Sequence, residues 1–162
     1  KGLVEHWRRT VGTTSVEDVG LIAEITEGMM VDNDSFTQHN LLSLHTAGIG
    51  VAIDDFGTGY SSLNYLTKIN AQVIKIDKSF TSNLIVNPKT DALCEAIIAM
   101  AHKMGMQVVA EGVETQAQWN KLADIGCDMA QGYFIAKPMP LETLLATWKN
   151  QVAPVPHTAL AS

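Results

Sequence analysis

Six side chains stand out for their type and their place along the chain: Glu24, Asp54, Asp55, Lys75, Glu111 and Gln131. Each lies at or near the C-terminal end of a short apolar run. In open parallel α/β sheets and in (β/α)₈ barrels, that edge carries the active site. Carboxylates that converge on one point cannot all stay ionised without a cation. Either their pKa values rise or a metal sits among them. Hard oxygen donors favour Mg²⁺ or Mn²⁺ over Zn²⁺. The adjacent pair Asp54-Asp55 suits a bridge between two ions, and two ions roughly 3.5–4 Å apart serve phosphoryl displacement. Lys75 then adds positive charge near a phosphate or the attacking water, and Gln131 can orient that water or a ligand oxygen. The plain alternative is that Asp54, Asp55 and Glu111 cap helices and Lys75 pairs with one of them.

The elements that must position these residues alternate. Strands are expected at Leu21–Ile25, Ile49–Ile53, Val73–Ile76, Gln107–Ala110 and Met129–Ile135. Helices are expected at Leu3–Thr10, Asp34–Thr46, from Ser61 or Ser62 through Lys68, at Pro88–Met104, from a Thr115 cap to Asp124, and at Leu141–Lys149. The stop and start residues carry much of this reading. Pro88 suits the first turn of a helix, and Gly48, Gly105 and Gly126 suit its end. Near-continuous apolar strands between helices imply a parallel sheet covered on its faces, with right-handed crossovers. Residues 154–162 show no periodicity and read as a tail.

The chain has 162 residues, 46% of them hydrophobic and 17% charged, so it can bury a core and is not a disordered sequence. Its net charge of −6 argues against a partner that is a nucleic-acid polymer. No apolar run reaches the ~18 residues of a membrane span. Lys1–Thr10 lacks the apolar segment of a secretory signal. Cys94 and Cys127 stand alone and read as reduced buried thiols, and the five histidines form no ligand pattern. Asp55-Phe56-Gly57 matches the magnesium triplet of protein kinases, but the chain has neither a His-Arg-Asp loop nor a glycine-rich nucleotide loop. Gly57 and Gly59 suit a tight turn that brings backbone N–H groups to the site.

Taken together, Glu24-Ile25-Thr26-Glu27, Asp54-Asp55-Phe56-Gly57-Thr58-Gly59-Tyr60-Ser61-Ser62, Ile74-Lys75-Ile76-Asp77, Ala110-Glu111-Gly112-Val113-Glu114 and Gln131-Gly132-Tyr133 resemble successive motifs of the EAL domain. That family comprises cyclic di-GMP phosphodiesterases of bacterial signalling proteins. The motifs run from about Gly20 to Pro140, and their order is far more specific than any one of them. The resemblance implies a modified TIM barrel that hydrolyses cyclic di-GMP to linear pGpG with Mg²⁺ or Mn²⁺. Glu24 and Asp54 resemble ligands of a first ion. Asp54, Asp55 and Glu111 resemble ligands of a second. Glu111 also resembles a general base. Lys75 resembles the residue that holds the nucleophilic water, and Gln131 the residue that completes the polar network. Glu27 resembles the glutamate that steadies the loop of Phe56, Gly57, Thr58, Gly59, Tyr60, Ser61 and Ser62, which links substrate, metal and dimer contact. Glu114 resembles a support of the loop after Glu111.

The chain departs from the family in lacking the Glu-Ala-Leu motif, the arginine just downstream of it and the asparagine of a later strand. Residues 1–19 read as a helix and loop of the preceding barrel unit, 20–150 as the C-terminal part of an EAL domain and 151–162 as a flexible tail. The expected architecture is α/β: a partial TIM-type barrel of about five parallel strands, with N-terminal strands missing. Open edges and interior faces at Ile53, Ile74 and Val109 would want cover, so self-association or a homodimer is expected. Weak metal binding and little activity are expected of the isolated chain. The resemblance also implies a cytoplasmic domain of a longer parent, which in such proteins often carries GGDEF or sensor domains and is in some cases anchored at the inner membrane. Two other readings stand beside the enzyme: an EAL-type receptor or protein-contact module without catalysis, and an unrelated Mg²⁺-dependent barrel enzyme.

Overall fold

Five short strands pair side by side in chain order, and every pairing is parallel. The computed structural model describes residues 21–30, 35–59, 66–67 and 69–151. The strands are β1 (Ile22–Thr26), β2 (Gly50–Phe56), β3 (Val73–Ile76), β4 (Gln107–Ala110) and β5 (Met129–Ala130). The helices are α1 (Ser35–Thr46), α2 (Lys78–Asn83), α3 (Pro88–Lys103), α4 (Gln116–Asp124) and α5 (Leu141–Gln151), with a 3₁₀ turn over Glu27–Met30. The expected strands at Val73–Ile76 and Gln107–Ala110 have these bounds. The expected helices at Leu3–Thr10 and Ser61/Ser62–Lys68 lie outside the described residues, save for the part of the second at Leu66 and Thr67.

Local chemistry explains the helix ends. Pro88 opens α3 behind Asn87, whose Oδ1 accepts the Lys89 N–H at 3.0 Å. Thr115 and Gln118 form a capping box at α4: Thr115 Oγ1 accepts the Gln118 N–H and Gln118 Oε1 accepts the Thr115 N–H. Helix α2 was not expected from the sequence, although its signal is present. Asp77 closes β3 and caps α2 by accepting the Ser79 N–H at 2.9 Å. Burial alone would raise the Asp77 pKa, but the hydrogen bonds from Ser79 outweigh it and hold the carboxyl below its usual range.

Three expectations need correction. β2 does not stop at Ile53 but runs to Phe56 and takes in Asp54-Asp55. β5 ends at Ala130, not Ile135. Beyond it the chain turns, because the Phe134 N–H bonds the Val113 carbonyl and the Ile135 N–H bonds that of Gly132. The third concerns the faces of the sheet. Strand parity puts Ile53 and Ile74 on the helix-covered side with Ile76 and Val108, and all four are 0% exposed. They pack with Cys94, Ile98 and Ala101 of α3 and Leu122 of α4. Of the three residues expected on the interior face, only the partly buried Val109 shares the parity of Ala52, Val73 and Lys75. Among the described residues, β1 and β5 form the sheet edges, with Ile22 50% and Met129 41% exposed.

Candidate functional site

Register alone brings the polar residues together. Glu24 pairs with Ala52, Ala52 with Val73, and Lys75 with Val109. Partners in a parallel pair point to the same face and alternate residues return to it. Glu24, Asp54, Lys75 and Glu111 therefore share the face opposite the packed core. Lys75 is 7% exposed, and its Nζ lies 2.9 Å from Glu24 Oε2, 2.9 Å from Asp54 Oδ1 and 2.8 Å from Glu111 Oε1. Burial by itself lowers the lysine pKa. The hydrogen bonds and charge of these carboxylates outweigh that and raise it above the usual lysine range, so the side chain is an ammonium at neutral pH.

Asp55 reaches the same place by a different route. Regular alternation would send two consecutive carboxylates to opposite faces. Between Ile53 and Phe56 the β2 register shifts: three steps on β2 match two on β3. The extra residue is a bulge, and Asp55 adopts φ +54°, the left-handed region. Phe56 thus returns to the helix-covered core at 6% exposure, and Asp54 and Asp55 both serve the site. One oxygen each of Asp54, Asp55 and Glu111 lies within 4.8 Å of the others. Phe56, expected in the substrate loop, is a core residue instead.

The turn after the bulge is tied down from below. Glu27 is 3% exposed, and its Oε2 accepts the Gly57 N–H at 2.9 Å and the Gly59 N–H at 3.1 Å. Thr58 closes the turn through Oγ1, which donates to the Asp55 carbonyl at 2.9 Å. Gly57 has φ +96°, and a Cβ there would press on the Phe80 ring at 2.7 Å. Tyr60, Ser61 and Ser62 lie outside the described residues.

Gln131 follows β5 on the site's edge with its side chain exposed. Its backbone N–H donates to the Ala110 carbonyl at 2.8 Å, and its carbonyl accepts the Val113 N–H at 3.0 Å. A Cβ on Gly132 would overlap the Val113 backbone, so only glycine lets the two segments meet. Glu114 is exposed, and its N–H donates to Gln118 Oε1 at 2.9 Å. Gln118, not singled out from the sequence, also donates from Nε2 to the Thr81 carbonyl at 3.1 Å and so braces the segment after Glu111. Its signal was the capping-box spacing Thr115-x-x-Gln118. Asp128 was missed too: its Oδ2 accepts the Val108 N–H and meets His102 Nε2, both at 2.8 Å.

The donor set fits a hard divalent cation. It consists of carboxylate oxygens with no thiolate or imidazole among them. Asp54 Oδ1 is buried and takes no hydrogen bond of good geometry, so its contact with Nζ is chiefly Coulombic. Such an oxygen calls for a cation. One ammonium among four carboxylates also leaves the site acidic.

A parallel sheet with helices on one face and an acid-lined edge at its strand ends belongs to the (β/α)-barrel class of the TIM type. Comparison with known proteins narrows this. The EAL domain model matches residues 1–138, extending the resemblance to the first residue. The signalling protein YkoW of Bacillus subtilis is 47% identical over 142 residues, covering 88% of this chain and 18% of that protein. The bifunctional diguanylate cyclase/cyclic di-GMP phosphodiesterase MucR of Pseudomonas aeruginosa is 40% identical over 146 residues, covering 90% and 21%. The structure of the MucR phosphodiesterase in complex with c-di-GMP matches with a TM-score of 0.79 at 40% identity, over 88% of this chain and 58% of that one. A manganese/cyclic di-GMP complex of BlrP1 from Klebsiella pneumoniae matches with a TM-score of 0.66 at 33% identity, over 70% and 29%. This chain belongs to the EAL domain family. It spans about a fifth of the length of these two curated relatives. Among the described residues, no helix is long and apolar enough to cross a membrane.

Proposed function

We propose that this chain is the C-terminal part of an EAL-type phosphodiesterase that hydrolyses cyclic di-GMP to linear pGpG. The observation that carries this reading is the cluster at the strand ends, where Asp54, Asp55 and Glu111 lie within 4.8 Å of one another beside Lys75. Asp54, Asp55 and Glu111 would hold divalent ions, with Glu24 as a further ligand. Bound there, Mg²⁺ or Mn²⁺ supplies Lewis-acid polarisation of the phosphodiester and makes water a better nucleophile.

The protein's own part is placement. The bulge at Asp55 turns two successive carboxylates to one side. Glu27 holds the turn that follows. Lys75 brings a permanent positive charge to the place where phosphate oxygens gain negative charge. Glu111 takes the proton of the attacking water as the new P–O bond forms; the P–O bond to the ribose oxygen breaks, and that oxygen leaves with the electron pair and takes up a proton from solvent. Gln131 follows β5 along the same edge and would orient a ligand oxygen. The manganese/cyclic di-GMP complex of BlrP1 supports the ion class. The name of MucR supports both the reaction and a longer parent that carries a diguanylate cyclase. Pairing with a second EAL copy through the turn after Asp55 is part of the same proposal, as is a cytoplasmic place for the domain. The receptor reading is not favoured, because Glu24, Asp54, Asp55, Lys75, Glu111 and Gln131, the site residues that this portion of the domain would supply, are all present.

The test is turnover of cyclic di-GMP with Mn²⁺, following pGpG by chromatography, with Asp55→Asn as control. It is run on the 162-residue chain and on its longer parent. Turnover by the parent that Asp55→Asn abolishes is expected, with little from the chain alone. Binding of cyclic di-GMP by the parent without any turnover would replace the enzyme reading with the receptor one.

A further inference from the structure

We propose that Lys75 is the built-in counter-cation of this site: its ammonium holds Glu24, Asp54 and Glu111 together when no divalent ion is bound, and an arriving ion works against it. The inference rests on the reading of Asp54, Asp55 and Glu111 as the ion-holding set. Two of those three residues are the ones Lys75 engages, at 2.9 Å for Asp54 and 2.8 Å for Glu111. The third, Asp55, is exposed and has no ion pair with the lysine.

The physical argument is a balance of charge. Three carboxylates, one on β1, one on β2 and one just past the end of β4, gather around one point, where mutual repulsion would splay the strand ends. An ammonium 7% exposed and in contact with all three removes that repulsion. It also places a positive charge 2.9 Å from Asp54 Oδ1, a buried oxygen with no hydrogen-bond partner. The same contacts oppose a metal. An ion on Asp54 and Glu111 shares their carboxylates with Nζ, and like charges held on the same groups repel. Lysine charge and ion are therefore antagonistic: each stabilises the cluster, and each weakens the other's hold on it. Lys75 acts here as a positioning residue, and the exchange keeps the carboxylates assembled for the ion.

The experiment measures Mn²⁺ affinity by calorimetry, and melting temperature in chelator and in saturating Mn²⁺. It uses the wild-type chain, Lys75→Met, Lys75→Arg and Asp55→Asn. Lys75→Met is expected to lower the melting temperature in chelator. Saturating Mn²⁺ should recover most of that loss. The same variant should bind Mn²⁺ about tenfold more tightly, about 1.4 kcal/mol. Lys75→Arg keeps the charge and should stay near wild type in both readouts. A purely structural lysine would lower stability equally with and without Mn²⁺, and that result overturns the proposal. So does Mn²⁺ affinity that is unchanged or weaker in Lys75→Met. Should Asp55→Asn bind Mn²⁺ as wild type does, the ion-holding set is wrong. The displacement claim then falls with it, and the chelator melt alone decides the counter-cation claim.

Discussion

The two faces of this sheet are built from the same strands, one residue out of phase. On the helix-covered face, Ile53, Ile74, Ile76 and Val108 are 0% exposed and pack on α3 and α4. On the other, Glu24, Asp54 and Glu111 surround Lys75 at 2.8–2.9 Å. The first face is held by non-directional apolar contact spread over many residues, so any one side chain carries only a share. The second depends on a few directed contacts, and two of its carboxylates meet only because β2 holds one extra residue. Stability should therefore respond to substitutions on the first face, and activity to those on the second.

The sharpest test of that division is Asp55→Gly. Turnover by the longer parent should fall about a thousandfold or more, roughly 4 kcal/mol on the barrier. Stability should hold or rise slightly, because glycine accepts φ +54° without the Cβ penalty. A large loss of stability in urea unfolding would mean that Asp55 belongs to the scaffold as well as the site.

Ile74→Ala probes the opposite face. A fully buried isoleucine cut to alanine costs about 2–5 kcal/mol. Urea unfolding should show that loss, with turnover per folded molecule of the parent nearly unchanged. Equal losses in both measurements would break the comparison.

Glu27→Gln sits between the two. It keeps the shape but removes the charge that accepts the Gly57 and Gly59 N–H groups, a loss of about 1–2 kcal/mol. Because the turn carries site residues, KM for cyclic di-GMP should rise in the parent. Unchanged kinetics would detach the turn from the site.

The smallest effect belongs to the core thiols. Burial pushes Cys94 up to about 11 and also raises Cys127. A raised folded-state pKa means that the folded protein keeps its proton longer than the unfolded chain. This contribution is complete below the ordinary thiol pKa and is lost as pH climbs from about 9 to about 11. Urea midpoints should fall over that window, and Cys94→Ala should flatten part of the fall. An identical slope in the variant would assign it to other groups.

Much of this was legible in the residues because it is local. The bounds of β3 and β4 follow from apolar runs between stops, and the start of α3 and the Thr115 cap of α4 from their capping residues. What escaped was non-local. β5 looked longer because Tyr133, Phe134 and Ile135 are good strand formers, yet Gly132 lies on the Val113 backbone and turns the chain there. Helix α2 was hidden because Asp77 served equally well as a strand end. The misassigned faces of Ile53 and Ile74 show the limit of an apolar run: without alternation it carries no parity, and the helices that cover one side have to be seen.

By itself the sequence determined the family, the parallel α/β order and which side chains can do chemistry, because composition, caps and motif order are properties of neighbours along the chain. Only the tertiary structure decided which of those side chains touch. It put Lys75 among three carboxylates, took Phe56 out of the site, and turned Asp55 toward Asp54 and Glu111. The reason is that facing is set by register between strands far apart in sequence, and a single extra residue in β2 changes it for everything that follows.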